Sequence, residues 1–137
     1  MQRRQPGMSL IELLVVMVVV GILAAIAYPS YRQYVVRTNR TDAKAALEQG
    51  RQVLERCFTR FNAYDAADCE VDFDPPVTLP SGTYRISAVL APGTFVLTAT
   101  PQGAQAADDA RCGNFTLNEL GQRGVSGTDT AARCWGR

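Results

Sequence analysis

The sequence contains no histidine. That absence removes the usual neutral-pH general base, His-based catalytic triads and imidazole metal ligation. No constellation of nucleophile, base and oxyanion donors is legible among the remaining residues, so an enzyme is not expected and no cofactor is implied. A phosphate loop of the form GxxxxGK[ST] is also missing, which excludes an NTPase motor. Charge of either sign is scarcely in excess: 14 Lys+Arg stand against 13 Asp+Glu, a formal net charge of +1. So balanced a chain projects no general field toward nucleic acid, and only a local cluster of cations can hold phosphates. The four cysteines, Cys57, Cys69, Cys112 and Cys134, form no C-x-x-C pair, so zinc and thioredoxin-like chemistry are not indicated.

What the chain does have is a long apolar run. Leu13 to Tyr28 (LLVVMVVVGILAAIAY) carries no charge, and with Met8 to Glu12 it reaches the roughly 20 residues a bilayer-spanning helix needs. Glu12 is the anomaly within it. An acid deep in a bilayer costs roughly 2.5–3.5 kcal/mol on insertion scales, which marks it as a functional residue in need of a partner. Twelve Leu, Ile and Val residues lie between Leu10 and Ile26, and at about −0.3 to −0.6 kcal/mol each they outweigh that cost. Two simpler readings compete. A secretory signal would use Arg3 and Arg4 as its basic start and Ala25-Ile26-Ala27 as its cleavage site; a generic signal anchor would simply stay in the membrane. Both leave Glu12 without a purpose.

Arginines stand on both sides of the run, Arg3 and Arg4 before it and Arg32, Arg37 and Arg40 after it, so their count does not orient the segment. The cysteines do. Behind an export signal an even set reads as disulfides, which places the C-terminal part in an oxidising compartment and the N-terminus in the cytoplasm. Spacing leaves three connectivities open. Cys57 with Cys69 and Cys112 with Cys134 are preferred because each closes a short local loop, worth about 3 kcal/mol apiece.

After Pro29, small or apolar residues recur at Ala43, Ala46, Leu47, Gly50, Leu54, Cys57, Phe58 and Phe61, spacings of three and four that mark one helix face. The other face is charged, with Lys44–Glu48 and Arg51–Glu55 four apart, the spacing of solvated helix pairs. Met8 to about Arg60 therefore reads as one long helix, apolar at first and amphipathic later, weakened at Gly21 and kinked at Pro29. Asn62 to Pro80 reads as an irregular loop pinned by Cys69. Its acids, Asp65, Asp68, Glu70, Asp72 and Asp74, lack the glycine and terminal glutamate of a calcium-binding EF-hand loop, so a solvated acidic loop and no metal are expected. Tyr84 to Leu90 and Thr94 to Thr100 are strands joined through Ala91-Pro92-Gly93. Asn114 to Leu117 and Gln122 to Val125 form a second hairpin around Asn118 to Gly121. The expected fold is α+β, the long helix packed on a small antiparallel sheet of about four strands.

The basic leader ending in Gly7, followed by MSLIELLVVMVVVGILAAIAYPSY, resembles the class III signal of type IV prepilins from Gly7 to Tyr31, including Glu12, Gly21 and Pro29. The segment from Ala99 onward, with cysteines bracketing a hairpin and a tail, resembles PilE-type minor pilins. This resemblance implies the type IV pilin fold, with residues 1–7 as leader, 8–31 as the transmembrane and filament-core half of the helix, and 32–137 as the globular pilin domain. It implies that a prepilin peptidase cuts between Gly7 and Met8 and that Met8 is N-methylated; most pilins carry phenylalanine there. Glu12 would then neutralise the amine of a neighbouring subunit, and the stretch from Gly21 to Pro29 can lose helicity in a filament. Two opposite charges in low dielectric attract strongly where either alone is costly.

The implied role is a minor pilin of a retractile type IV pilus, a structural component or assembly initiator serving adhesion, twitching motility or DNA uptake. Its implied partners are other pilins, the prepilin peptidase and an inner-membrane assembly platform, and its path runs from a single-pass inner-membrane protein with a periplasmic domain to the cell-surface pilus. The alternatives are a DNA-binding receptor pilin, using Arg85, Arg111, Arg123, Arg133 and Arg137 to hold phosphates, and a pseudopilin of type II secretion. Trp135, beside Cys134, is read as a cover for the disulfide rather than a ligand contact.

Overall fold

The structure is a computed structural model and describes residues 8–69, 73 and 75–136. The chain divides into two compact units at Val35 and Val36. Helix α1, Leu10–Phe61, contributes to both.

In the first unit the helix starts where Ser9 caps it. Its hydroxyl accepts from the Glu12 N–H at 3.3 Å and its carbonyl from the Leu13 N–H at 3.2 Å, which satisfies donors that the first turn leaves open. Glu12 in that first turn also suits the positive end of the helix dipole. The helix passes through Gly21 and Pro29 without interruption. Every residue from Met8 to Tyr34 is exposed. A helix apolar on all sides has no core of its own to make, so this half is suited to lipid or to other helices.

The second unit is built around the remaining part of α1. Ala43, Ala46, Leu47, Gly50, Leu54 and Cys57 are buried, as the periodicity requires, while Phe58 is only partly buried and Phe61 is exposed. The helix ends there because Asn62 takes a left-handed conformation, φ 54°, and its N–H caps the Phe58 carbonyl at 2.7 Å.

Five strands form one antiparallel sheet in sequential order: β1 (Val77–Thr78), β2 (Tyr84–Ala91), β3 (Thr94–Pro101), β4 (Phe115–Asn118) and β5 (Arg123–Val125). Alternation along the strands turns Tyr84, Ile86, Phe95, Leu97, Ala99, Phe115 and Leu117 into the core with Ala43, Leu47 and Leu54. Gly50 lets the helix approach closely, since a Cβ there would come within 2.5 Å of Phe73 Cε2 and 3.0 Å of Leu97 Cδ1.

Several details depart from the sequence reading. The sheet has a fifth strand, β1, inside the segment read as loop; at two residues it is too short for a periodicity signal and exists because Val77 and Thr78 pair with Ile86 and Arg85. Two short helices, α2 (Gly103–Asp108) and α3 (Ala131–Trp135), carry no amphipathic signature of useful length. The charged face pairs differently from the expected four-residue spacing: Glu48 accepts from Arg51, three residues on in the same helix, at 3.2 Å and from Arg123 of β5 at 2.9 Å, and Lys44 donates to the Trp135 carbonyl at 2.9 Å.

Candidate functional site

Of the expected processing site, Gly7 lies outside the described residues. Met8 is exposed, and Glu12 stands one turn further along an apolar helix with no acid-neutralising cation among Leu10 to Tyr31. Of the loop acids, Glu70, Asp72 and Asp74 lie outside the described residues. Among the described residues no three His, Cys, Asp or Glu side chains are grouped to hold a metal.

Cys57 is joined to Cys69 and Cys112 to Cys134, with Cα atoms 5.8 Å apart in each pair. The first bond ties the last turns of α1 to the loop after it. The second ties the segment before β4 to α3, and so places Trp135. That indole packs edge-on against Phe115, donates Nε1–H to the Gly124 carbonyl at 3.0 Å, and carries the Arg123 guanidinium 5.0 Å from its ring centroid. Trp135 therefore covers the core beside the disulfide, with its polar atom satisfied.

The cations named from sequence do not converge on one spot. Arg85 points away from the core, between buried Tyr84 and Ile86. Arg123 is held by Glu48 and Trp135. Arg111 and Arg133 both flank Asp129, at 3.9 and 3.6 Å; with side chains exposed by 78% and 74%, these contacts are worth little and leave both guanidiniums available to an anion. Arg137 lies outside the described residues. Burial alone would raise the Glu48 pKa, but the hydrogen bonds from Arg123 and Arg51 outweigh it and the net shift is downward.

A denser cluster involves residues that sequence reasoning did not select. Arg40 donates Nε and Nη2 to the two oxygens of Asp109, at 2.8 and 2.6 Å. Asp109 is fully buried and also accepts from the Tyr84 hydroxyl at 3.2 Å and the Gln105 amide at 3.1 Å. Asn39 donates to Gln105 Oε1 at 2.9 Å. Hydrogen bonding to Asp109 raises the Arg40 pKa against the opposing effect of burial. Around this clasp stand Arg37, Thr41 and Lys44 on the same helix, and Arg133 on α3. The spacing of 37, 40, 41 and 44 is that of one helix face and was the signal available in the sequence.

A helix whose first half is apolar on every side and whose second half is buried against an antiparallel sheet, followed by a disulfide-tied C-terminal segment, defines a type IV pilin. Residues 2–28 match the prokaryotic N-terminal methylation motif. Residues 29–116, more than half of the chain, match the family described as type IV minor pilin ComP, DNA uptake sequence receptor, and the chain belongs to that family. It is 34% identical over 74 residues to a fimbrial protein of Pseudomonas aeruginosa, covering 46% of this chain and 48% of that protein. To the type IV major pilin protein PilA of Myxococcus xanthus it is 34% identical over 85 residues, 62% of this chain and 38% of that one. The chain thus spans about half the length, or less, of these curated relatives. Among solved structures it is similar to a type IV pilin from Shewanella oneidensis, with TM-score 0.54 and 27% identity over 74% of this chain and 99% of that one. The minor pilin PilV of Neisseria meningitidis, at TM-score 0.53 and 19% identity over 71% and 92% of the two chains, shares the fold.

Proposed function

We propose that this chain is a minor subunit of a type IV pilus whose globular unit receives DNA at the cell surface. The observation that carries the reading is the family match over residues 29–116, to minor pilins described as DNA uptake sequence receptors. The exposed apolar helix supports membrane storage followed by packing among other pilin helices. Cleavage between Gly7 and Met8 leaves an amine one turn from Glu12, and this acid pairs with the amine of a neighbouring subunit in the filament. Prepilin peptidase and an inner-membrane platform act on the chain; catalysis by the chain itself is not part of this reading. The globular unit faces the periplasm before assembly, as the disulfides require an oxidising compartment.

DNA reception by so neutral a protein depends on local cations rather than net charge. The full chain, in an uncharged detergent, is expected to retard duplex DNA at low salt and to release it steeply as salt rises. Absence of retardation at low salt removes the receptor role and leaves a structural minor pilin. Intact-mass analysis of the membrane fraction tests the processing: a chain starting at methylated Met8 is expected, and a start at Tyr28 would make the segment an ordinary secretory signal.

A further inference from the structure

Arg37, Arg40, Thr41 and Lys44 stand at i, i+3, i+4 and i+7 on α1, so one stripe of the helix presents three cations and a hydroxyl. The end of the chain brings Arg133, Cys134 and Gly136 against this stripe, and together the seven residues line a groove of about 260 Å³. No acid is among the lining residues. Its volume falls below the roughly 300–1,000 Å³ of sites that enclose a drug-sized ligand, so the occupant is a small group rather than a whole nucleotide.

The four cations differ in how far they are already committed. Arg40 is engaged with Asp109 through both hydrogen bonds and forms a rigid, neutralised floor. Lys44 gives one proton to the Trp135 carbonyl and keeps two for another acceptor. Burial first, then the charges of Arg40 and Arg123, lower its pKa; an anion in the groove would relieve that crowding. Arg37 is exposed at the rim. Arg133 meets Asp129 only at 3.6 Å, with most of its side chain in solvent. The Cys112–Cys134 bond and the Lys44 contact hold α3 in place, so cations from two elements face one space without needing a rearrangement.

We propose that this groove takes one phosphodiester group of bound DNA, with Arg37, Lys44 and Arg133 as the phosphate contacts. The assignment rests on the receptor reading above and gives it a location. Such a contact positions the duplex and carries no base information, so sequence preference arises elsewhere on the surface. Arg85, on the opposite face of the sheet from the core, does not belong to this site.

The test is the salt dependence of duplex binding by the full chain in uncharged detergent. Each phosphate contact contributes about 0.9 to the slope of log K against log salt. The double substitution Arg37→Gln with Arg133→Gln is expected to reduce that slope by about 2. A charge-matched control, Arg56→Gln with Arg60→Gln, is expected to reduce it by much less. Arg37→Lys with Arg133→Lys should retain most of the wild-type slope, since the charge is kept. All these positions are exposed, so the core is untouched. A groove variant whose slope equals that of the wild type, or falls only as far as the control, overturns the assignment. If the wild type fails to bind DNA at all, the receptor reading falls; if it binds and the groove variants do not matter, only the groove falls. Inorganic phosphate at constant ionic strength gives a second check. Phosphate that weakens DNA binding by the wild type more than by the groove variant is expected, because both ligands then compete for the groove, and equal weakening of both proteins would overturn the diester contact.

Discussion

Arg40 and Asp109 form a two-hydrogen-bond pair across 69 residues of sequence, with the carboxylate fully buried and the guanidinium side chain 22% exposed. The pair joins the part of α1 that opens the globular unit to the turn after α2. It also orders Tyr84 and Gln105, whose polar atoms have partners in the same network. With every buried side-chain polar atom among the described residues satisfied, the network costs little to keep and much to break.

Asp109→Ala removes the carboxylate and leaves Arg40 partly buried without it. Breaking a buried pair from one side typically costs about 3–5 kcal/mol, which for a domain of this size lowers Tm by about 10 °C or more. Asp109→Asn keeps an acceptor and is expected to cost less. Thermal unfolding followed by circular dichroism checks both, and an unchanged Tm for Asp109→Ala would show that the pair does not stabilise the unit.

Tyr84 supplies a pH signature. Burial raises its pKa, and the nearby Asp109 carboxylate adds to this, although the Gln105 hydrogen bond and Arg40 oppose it. The sign follows from proton counting: above about pH 10 the unfolded tyrosine loses its proton while the folded one keeps it, so stability falls as pH rises from there. Tyr84→Phe should be less stable at pH 7, by about 1 kcal/mol for the lost hydrogen bonds, but should show a shallower alkaline decline. Urea midpoints measured at pH 8 and pH 11 give the comparison. Equal declines in both proteins would assign the alkaline effect to other groups.

Replacing Cys112 and Cys134 together by alanine releases the tail from β4. Closing a loop of 22 residues is worth about 3 kcal/mol, and Trp135 loses the anchor beside it. A red shift of tryptophan emission should accompany the loss of stability. Because Trp135 is the only tryptophan, the emission reports this site alone. An unshifted spectrum would mean that the Nε1–Gly124 bond and the Phe115 contact suffice to hold the indole.

Glu12→Ala separates insertion from assembly. Removing an acid from the apolar half of α1 lowers the cost of insertion by about 2–3 kcal/mol, so the variant should reach the membrane as well as the wild type. The variant removes the acid of the proposed pairing with a neighbour's amine, so incorporation into surface pili should drop severalfold. Normal incorporation, scored by immunolabelling of sheared pili, would rule out that role for the acid.

The main features of the fold can be derived from local patterns. The burial of Ala43, Ala46, Leu47, Gly50, Leu54 and Cys57 follows from their spacing of three and four, and the hairpin from Tyr84 to Pro101 follows from two β-rich runs around Pro92-Gly93. The second hairpin differs from its sequence reading by a residue at three of its four strand ends. These patterns work because helix and strand periodicities are properties of consecutive residues. The apolar half of α1 is legible for a similar reason, since a membrane-length apolar run with one acid is a statement about composition in a single window.

The candidate site is not of that kind. Asp108 and Asp109 are adjacent acids in the segment Ala107-Asp-Asp-Ala110, and no local rule distinguishes them, yet Asp108 is exposed and Asp109 is fully buried. Only the packing of α2 against α1 decides which of the two meets Arg40. In the same way Glu48 exchanges its expected partner Lys44 for Arg123, and Lys44 turns to the Trp135 carbonyl. Apolar burial is governed by which face of an element a residue occupies, which its neighbours in sequence reveal. The pairing of polar groups depends on a separation of a few ångströms between distant segments, and that separation exists only once the chain has folded.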